Sequence, residues 1–233
     1  MVGEKPLIES IAIPSSLKEI AFQAIKKAIV SGTLKPGNLY SEPVLAKQLG
    51  ISRTPVREAL LDIASRGFVE YVRNKGFRVK VLTKVDIRHL SAFRRGLEAT
   101  AIREIMPCLT DATLKEMEAI HGRDMQASRA KNWDAFVKVD REFHIYLCSL
   151  SENPYLISAM ERVRDLIDWA CYLMANPSQR FSEALREHEL IFEKLKERDL
   201  EGALMMMEGH LNITETRIID GLAFPGPEKS ETS

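Results

Sequence analysis

The chain has 233 residues, of which 45% are hydrophobic and 28% are charged, and its 33 Lys and Arg balance its 33 Asp and Glu. This composition is that of a globular protein of one or two domains, and the 12 Gly and 10 Pro exclude a collagen-like or broadly disordered chain. No run approaches the roughly 20 apolar residues of a membrane span, no secretion signal precedes residue 16, and the three cysteines form no CxxC pair, so we expect a cytoplasmic protein.

The neutral total hides two parts of opposite charge. Residues 1–83 contain 13 Lys and Arg against 7 Asp and Glu, a net charge of +6, and the remainder contains 20 against 26, a net charge of −6. A basic segment joined to an acidic one is typical of a protein with a nucleic-acid-binding part. We expect four regions, namely a flexible arm (1–14), a DNA-binding domain (15–83), a helical domain (84–222) and a disordered tail (223–233).

Three helical patterns follow the arm. The first helix ends at Gly32, and a short second helix begins after Ser41 and stops at Gly50. Thr54 followed by Pro55 predicts the cap and the first residue of a third helix, because proline is favoured at the first helical position. A short second helix, a tight turn and a third helix with arginines are typical of a helix-turn-helix.

A β-hairpin is predicted after the third helix. Segments 68–72 and 77–81 alternate apolar and polar residues, and the turn between them carries Arg73 and Lys75. Three helices and a basic hairpin make a winged helix-turn-helix, whose third helix enters the major groove of DNA. The cations of the turn can then reach a phosphate or the minor groove.

The rest of the chain lacks β patterns. Weak breaks divide it into about six helices of some 16–22 residues each, which predicts an all-α bundle. The breaks fall near residues 107–111, 131–132, 151–154, 176–178 and 199–202. The predicted fold class is therefore mainly α, with an N-terminal winged helix-turn-helix and an all-α C-terminal helical bundle.

Histidines and one aspartate form a candidate metal set. Asp140 and His144 are four residues apart and share one helix face, and His188 and His210 follow on later helices. Three imidazoles and a carboxylate would suit Zn²⁺, Ni²⁺, Mn²⁺ or Fe²⁺. Spacing alone leaves open that each is an ordinary core or surface residue.

Two further groups have alternative interpretations. Arg94 and Glu98 are four residues apart, so they form either a surface ion pair or an inward arginine that meets a carboxylate ligand. Asn153 precedes Pro154 at a helix start, where a cap is the simpler interpretation.

The sequence resembles the GntR family of bacterial transcription regulators. The N-terminal resemblance consists of Gly32-x-x-x-Pro36-Gly37, Ser41-Glu42-x-x-Leu45-Ala46, the run from Leu49 to Leu60, Gly67-Phe68 and Gly76-Phe77-Arg78-Val79. The second domain is similar to the FadR-type ligand-binding domain in Arg94-x-x-Leu97-Glu98, Asp140-x-x-Phe143-His144, Asn153, Glu187-His188 and His210. The two resemblances cover roughly residues 15–222.

The resemblance implies a role for the third helix and the wing tip. It assigns operator DNA contacts to Arg53, Thr54, Arg57, Lys75 and Gly76. Many relatives carry a basic residue near the position of Pro43, which this chain lacks, so one phosphate contact is in doubt.

The resemblance also implies a metal and an effector. It assigns one divalent transition metal per chain, zinc first with nickel or manganese as alternatives, to Asp140, His144, His188 and His210. It places Arg94 and Asn153 at a small carboxylate effector on or near the metal.

The predicted function is a homodimeric transcription regulator that binds double-stranded operator DNA under the control of this effector, without a membrane partner. An enzyme with a catalytic metal centre is the main alternative, since three histidines and an aspartate leave metal positions open. No general base is evident beside the set, because Glu142 faces another side of its helix. A protein-interaction module would have no need of the basic wing.

Overall fold

The computed structural model describes residues 16–174 and 181–222, so the predicted arm, the predicted tail and the break at 176–178 lie outside the described residues. The chain divides into two compact units, and the division falls between Val81 and Leu82. Nine α-helices and one three-stranded sheet lie within the described ranges. The mainly α fold class is confirmed. Within those ranges, no helix combines the length and apolarity needed to cross a bilayer.

The first unit contains three helices and a small antiparallel sheet. Its helices are α1 (Leu17–Val30), α2 (Glu42–Leu49) and α3 (Arg53–Ser65). Its strands are β1 (Leu39–Tyr40), β2 (Val69–Val72) and β3 (Gly76–Val79), in the order β1-β3-β2. Strands β2 and β3 are the predicted hairpin. Strand β1 was not predicted, because two residues are too few to show an alternating pattern.

The helix-turn-helix differs from prediction at one boundary. Gly50 ends α2 in the left-handed conformation with φ 68°, as its position predicts. Helix α3 begins at Arg53 and is preceded by Ser52 in extended conformation, so the prediction of Thr54 as N-cap is wrong. Thr54 and Pro55 lie inside the first turn, where the missing N–H of proline costs no helical hydrogen bond.

The core of the first unit fixes the orientation of α3. Apolar side chains of α1, α3 and the hairpin are almost completely buried, including Phe22, Ile25, Ile29, Val56, Ala59, Leu60, Ile63, Phe68, Phe77 and Val79. The buried stripe of α3 uses the helical spacing of Val56, Ala59, Leu60 and Ile63. The opposite side of its first turn is exposed.

The second unit is all-helical over its described residues. It contains α4 (Lys84–Ile105), a 3₁₀ turn (Met106–Cys108), α5 (Asp111–Arg129), α6 (Trp133–Ser149), α7 (Pro154–Tyr172), α8 (Phe181–Lys196) and α9 (Leu200–Gly221). The six α-helices are 16 to 22 residues long, which confirms the predicted number and length.

Side-chain caps set the helix starts of this unit. The Thr83 hydroxyl accepts a hydrogen bond from the Asp86 amide, and the Asp86 carboxylate accepts one from the Thr83 amide, which makes a capping box at α4. Asn153 caps α7 and Asp199 caps α9. Each such cap contributes about 1 kcal/mol.

The interior of the helical unit contains polar groups among apolar ones. Its main apolar cluster includes Ile102, Ile105, Met117, Ile120, Phe143, Leu147, Met160, Ile191, Leu195 and Leu211. The polar or charged residues that are buried here are Ser91, Arg94, Glu98, Asp124, His144, Arg164, Asp165, His188 and His210. Burial of charge costs free energy unless the charge is paired, so this set of residues indicates a candidate functional site.

Candidate metal centre and DNA-binding surface

Four predicted ligands lie together inside the helical unit. Asp140 and His144 come from α6, His188 from α8 and His210 from α9, and one ligand atom of each lies within 4.8 Å of those of the others. The three imidazole centroids are 4.7–5.4 Å apart, and each histidine is at most 2% exposed. Three helices of the bundle thus bring residues that are up to 70 positions apart in sequence to one point.

Each imidazole is oriented by its own carboxylate. An ionised carboxylate only accepts hydrogen bonds, so the Nδ1 atom of each ring carries the hydrogen and Nε2 keeps a lone pair. The three Nε2 atoms are buried and have no hydrogen-bond partner within the described part of the chain. The pairs join Nδ1 of His144 to Glu98 at 2.8 Å, of His188 to Asp124 at 3.0 Å and of His210 to Glu187 at 2.8 Å.

Burial favours neutral rings at two of the three positions. Burial, together with the charge of Arg94, lowers the pKa of His144 well below its ordinary value, and burial lowers the pKa of His210 to about 4. Burial is the largest single influence and lowers the pKa of His188, but the hydrogen bond to Asp124 and the charges of Asp140, Asp124 and Glu187 together outweigh it, so the net shift is upward. A metal would therefore displace at most one proton from the three rings near neutral pH.

The carboxylate of the set is held by a buried arginine. Nη2 of Arg164 on α7 donates to Asp140 Oδ2 at 2.5 Å and to Asp168 Oδ1 at 2.7 Å. Burial acts to raise the pKa of Asp140, but the charge of Arg164 together with His144, His188 and Arg94 outweighs burial and keeps this pKa far below its ordinary value, so the carboxylate is ionised. Its other oxygen, Oδ1, lies 3.4 Å from His188 Nε2.

The donor set fits a divalent transition metal. It consists of three imidazole lone pairs without a hydrogen-bond partner in the described structure and one ionised carboxylate oxygen. Borderline cations such as zinc, nickel and manganese accept nitrogen and oxygen ligands of this kind. The carboxylates on the Nδ1 atoms are the groups that usually orient metal-binding histidines.

Arg94 points inward and is almost completely buried. Its Nε donates to Glu98 Oε1 at 2.8 Å, and both side chains are at most 2% exposed, so the surface ion pair considered for these residues is wrong. The other Glu98 oxygen accepts from His144, which makes a buried chain from Arg94 to the cluster. Nη2 of Arg94 has no hydrogen-bond partner among the described residues.

Asn153 is a helix cap in the structure. Its side-chain oxygen accepts from the amides of Tyr155 and Leu156 at 3.2 Å, and its side-chain amide donates to Glu104 at 3.5 Å. These bonds hold the start of α7, and Asn153 is not one of the four clustered residues.

Sequence reasoning missed a role for four groups around the cluster. Glu98 entered as the partner of Arg94 but not of a histidine, Glu187 entered only as part of a family motif, and Asp124 and Arg164 did not enter at all. One signal was available for Asp124, because it continues the apolar stripe of Met117, Ile120 and Ala127 on α5. A charged residue within a buried stripe indicates a partner inside the fold.

The first turn of α3 presents its predicted DNA-binding residues to solvent. Arg53, Thr54 and Arg57 are exposed, and the Arg57 side chain is 66% exposed with its Nε 4.0 Å from a Glu42 oxygen. Lys75 is exposed in the turn between β2 and β3. These side chains are available for contact with a partner.

Gly76 meets a backbone requirement of the wing. Its φ is 115°, and a Cβ at this position would lie 2.4 Å from the carbonyl oxygen of Tyr40 on β1. Only glycine fits this conformation and this close approach of two strands. Gly76 therefore shapes the turn that presents Lys75.

The two units match two parts of one class of protein. Residues 17–79 match the family described as bacterial regulatory proteins, gntR family, and residues 89–213 match the FCD domain. A winged helix-turn-helix followed by this helical domain defines a DNA-binding transcription regulator. The regulators compared below are not enzymes, so the catalytic alternative is set aside.

Individual relatives support the same assignment. The chain is 30% identical to the HTH-type transcriptional regulator YdhC of Bacillus subtilis over 82% of this chain and 86% of the relative. It is 24% identical to the HTH-type transcriptional repressor RspR of Escherichia coli over 82% of this chain and 83% of the relative. The solved structure of E. coli McbR/YncC superposes with a TM-score of 0.75 at 25% identity, covering 88% of this chain and 98% of that one. The chain belongs to the GntR family and carries an FCD domain.

Proposed function

We propose that this regulator is a homodimer whose operator binding is controlled by a small carboxylate effector, bound at or near a divalent metal in the helical unit. One observation carries the proposal: three buried Nε2 atoms converge without hydrogen-bond partners in the described structure. Buried polar atoms of native proteins are normally satisfied, so their convergence points to a bound cation. We assign residues 15–83 to the DNA-binding domain and residues 84–222 to the effector domain.

Asp140, His144, His188 and His210 would hold the metal, with zinc as the first candidate and nickel or manganese as alternatives. When bound, such a metal supplies a positive charge and open positions for an anionic oxygen. Arg94 supports a carboxylate effector because its buried Nη2 offers an unused donor next to the same network. Arginine and a carboxylate form strong charge-assisted hydrogen bonds.

The exposed side chains of α3 would contact the operator in the bacterial cytoplasm. Arg53, Thr54 and Arg57 lie in the turn of the helix that reads the major groove in this fold, and Lys75 at the wing adds a phosphate or minor-groove contact. A homodimer would place two such units on the half-sites of a pseudo-palindrome. Because this chain has no basic residue near Pro43, we expect one phosphate contact fewer than in relatives that carry one there.

Operator binding tests the role of α3. The operator fragment is first selected from random duplexes with the purified protein. We expect Arg53→Ala and Arg57→Ala each to weaken binding to it by about 1–3 kcal/mol at fixed salt, if they contact bases. A contact to phosphate alone would instead reduce the salt slope by about 1. Arg88→Ala, an exposed arginine of α4, is the charge-matched control. Unchanged affinity and salt slope in both α3 variants would contradict the assignment.

Metal content tests the cluster. Protein purified without chelators should contain about one transition metal per chain, and chelation should lower the midpoint of thermal unfolding, because a ligand that binds only the native state stabilises it by about 2.7 kcal/mol at 100 times its Kd. His144→Ala should remove both the metal and the chelator effect. His89→Ala, at an exposed histidine outside the cluster, should retain them. A native protein that contains no metal, and whose unfolding midpoint does not change when zinc, nickel or manganese is added, would refute the metal site.

A further inference from the structure

A second buried guanidinium lies beside the cluster with unused donors. Arg164 is 1% exposed, and its Nη2 makes the bonds to Asp140 and Asp168 described above. Its Nε and Nη1 are buried and have no hydrogen-bond partner among the residues that the structure describes. Each of these desolvated donors on a cation requires an acceptor, and an anionic oxygen satisfies such a donor best.

Arg164 lines a cleft that reaches the metal ligands. Asp140 and His210 form part of the same wall, so one end of the cleft combines the guanidinium with two of the proposed ligands. Arg94 contacts the cluster from the other side through Glu98 and does not line this cleft, so Arg164 rather than Arg94 is the guanidinium that an effector in this cleft would meet.

The other walls of the cleft are mainly apolar. They are formed by Trp133, Phe136, Val137, Ile167, Met174 and Ala184. The rings of Trp133 and Phe136 stack with centroids 5.7 Å apart, which makes a flat hydrocarbon surface. The remaining polar lining consists of Cys171, Thr214 and Arg217, and Arg217 already donates to Glu183 and Glu187.

From this arrangement we infer that the effector is a monocarboxylate with an apolar body. Its carboxylate lies at the end of the cleft where Arg164 meets the metal ligands, and its hydrocarbon part packs on Trp133 and Phe136. A polyhydroxy acid would place hydroxyl groups against walls whose described residues offer few partners, which costs free energy for each unpaired group. The inference deepens the proposed function and rests on it, because it names the class of effector for the same site.

A homologous series of acids measures the apolar contact directly. Metal-loaded protein is titrated with acetate, butyrate and hexanoate by calorimetry, with the intrinsic fluorescence of Trp133 and Trp169 as a second readout. Each added methylene that enters the cleft should increase affinity about fourfold. Hexanoate should bind at least tenfold more tightly than gluconate, which has the same number of carbons and the same charge but five hydroxyl groups. A flat series, or tighter binding of gluconate, would overturn the inference.

Two substitutions test the apolar walls of the cleft and its Arg164 end separately. Val137→Thr preserves the shape of the side chain and adds a hydroxyl, so it should reduce the gain in affinity per methylene and leave the affinity for acetate unchanged. Val139→Thr, on the same helix but outside the cleft, is the control and should change neither quantity. Arg164→Lys keeps the positive charge but removes these N–H donors, and at equal metal content it should weaken all three acids by a similar factor of about ten. If Arg164→Lys does not fold, the Val137 pair decides the inference. A wild-type protein that binds no metal would instead count against the proposed function. So would acids that bind to the protein without changing its affinity for the operator.

Discussion

At the residue scale, the cluster shows how carboxylates prepare imidazoles for a cation. Each Nδ1 hydrogen is held by a carboxylate at 2.8–3.0 Å, so each Nε2 lone pair has a fixed direction. Rotation of a ring would break that bond and leave the carboxylate unpaired in the interior. The metal would therefore be bound by preoriented ligands, and the entropy of ordering them is lost on folding rather than on metal binding.

Asp124 gives the cleanest test of this preorientation, because it is hydrogen-bonded to His188 and pairs with no arginine among the described residues. We expect Asp124→Asn to lower metal affinity by about 10–100-fold, as for other residues that support a metal-binding histidine. The measurement is competition with a chromophoric chelator. Glu142→Gln on α6 is the control, since Glu142 pairs with Arg123 on the surface. Equal affinities of the two variants would mean that Asp124 does not support the ligand.

The sequence predicted the four clustered residues but not their supporting groups, and the reason is physical. A spacing of four on one helix shows that Asp140 and His144 share a face, whereas the approach of α8 and α9 depends on the packing of the whole bundle. The supporting roles of Glu98 and Arg164 are recognised only when their neighbours across the core are known, whereas the position of Asp124 in the buried stripe of α5 already indicates a partner inside the fold. The inward direction of Arg94 stayed open for the same reason.

At the element scale, the local sequence predicted the boundaries of the helices more reliably than it predicted the short strand β1. Six helices of the second unit were predicted from apolar periodicity and breaks, because each buries one stripe and ends at a polar or glycine-containing turn. The start of α3 was misplaced at Thr54, since Thr-Pro fits both a cap and a first turn. Strand β1 exists only through its pairing with β3, which a local pattern of two residues cannot show.

The wing offers a prediction at this scale. Gly76→Ala would place a methyl group against the Tyr40 carbonyl at a φ of 115°, so we expect it to destabilise the first unit by more than Gly50→Ala. Gly50 also has a positive φ, 68°, but nothing lies within 4 Å of an added Cβ, so its substitution should cost only the conformational penalty of about 1–2 kcal/mol. Denaturant unfolding of both variants checks the order, and equal costs would show that the sheet yields at Tyr40 without strain.

At the scale of the whole molecule, the basic N-terminal part and the buried metal-ligand cluster of the acidic part would serve different functions. The first 83 residues carry a net charge of +6, which suits a polyanion, and the salt dependence of operator binding should report the phosphate contacts they make. The remaining residues carry −6 and contain the proposed metal and effector site. In a regulator, effector binding must change the affinity for DNA, and this coupling free energy can be measured.

Thermodynamic linkage supplies the corresponding prediction. If hexanoate changes operator affinity by some factor, operator DNA must change the affinity for hexanoate by the same factor, and couplings of about 5–150-fold are typical of such proteins. We expect both titrations on metal-loaded protein at one salt concentration to give equal factors, and the His144→Ala variant to give a factor near one in both because the effector site is lost. Arg57→Ala should weaken DNA binding yet keep the coupling factor when both titrations reach saturation, since it alters the contact with DNA rather than the effector site. Unequal factors in the wild type would mean that the acid acts on a species other than the native DNA-binding protein.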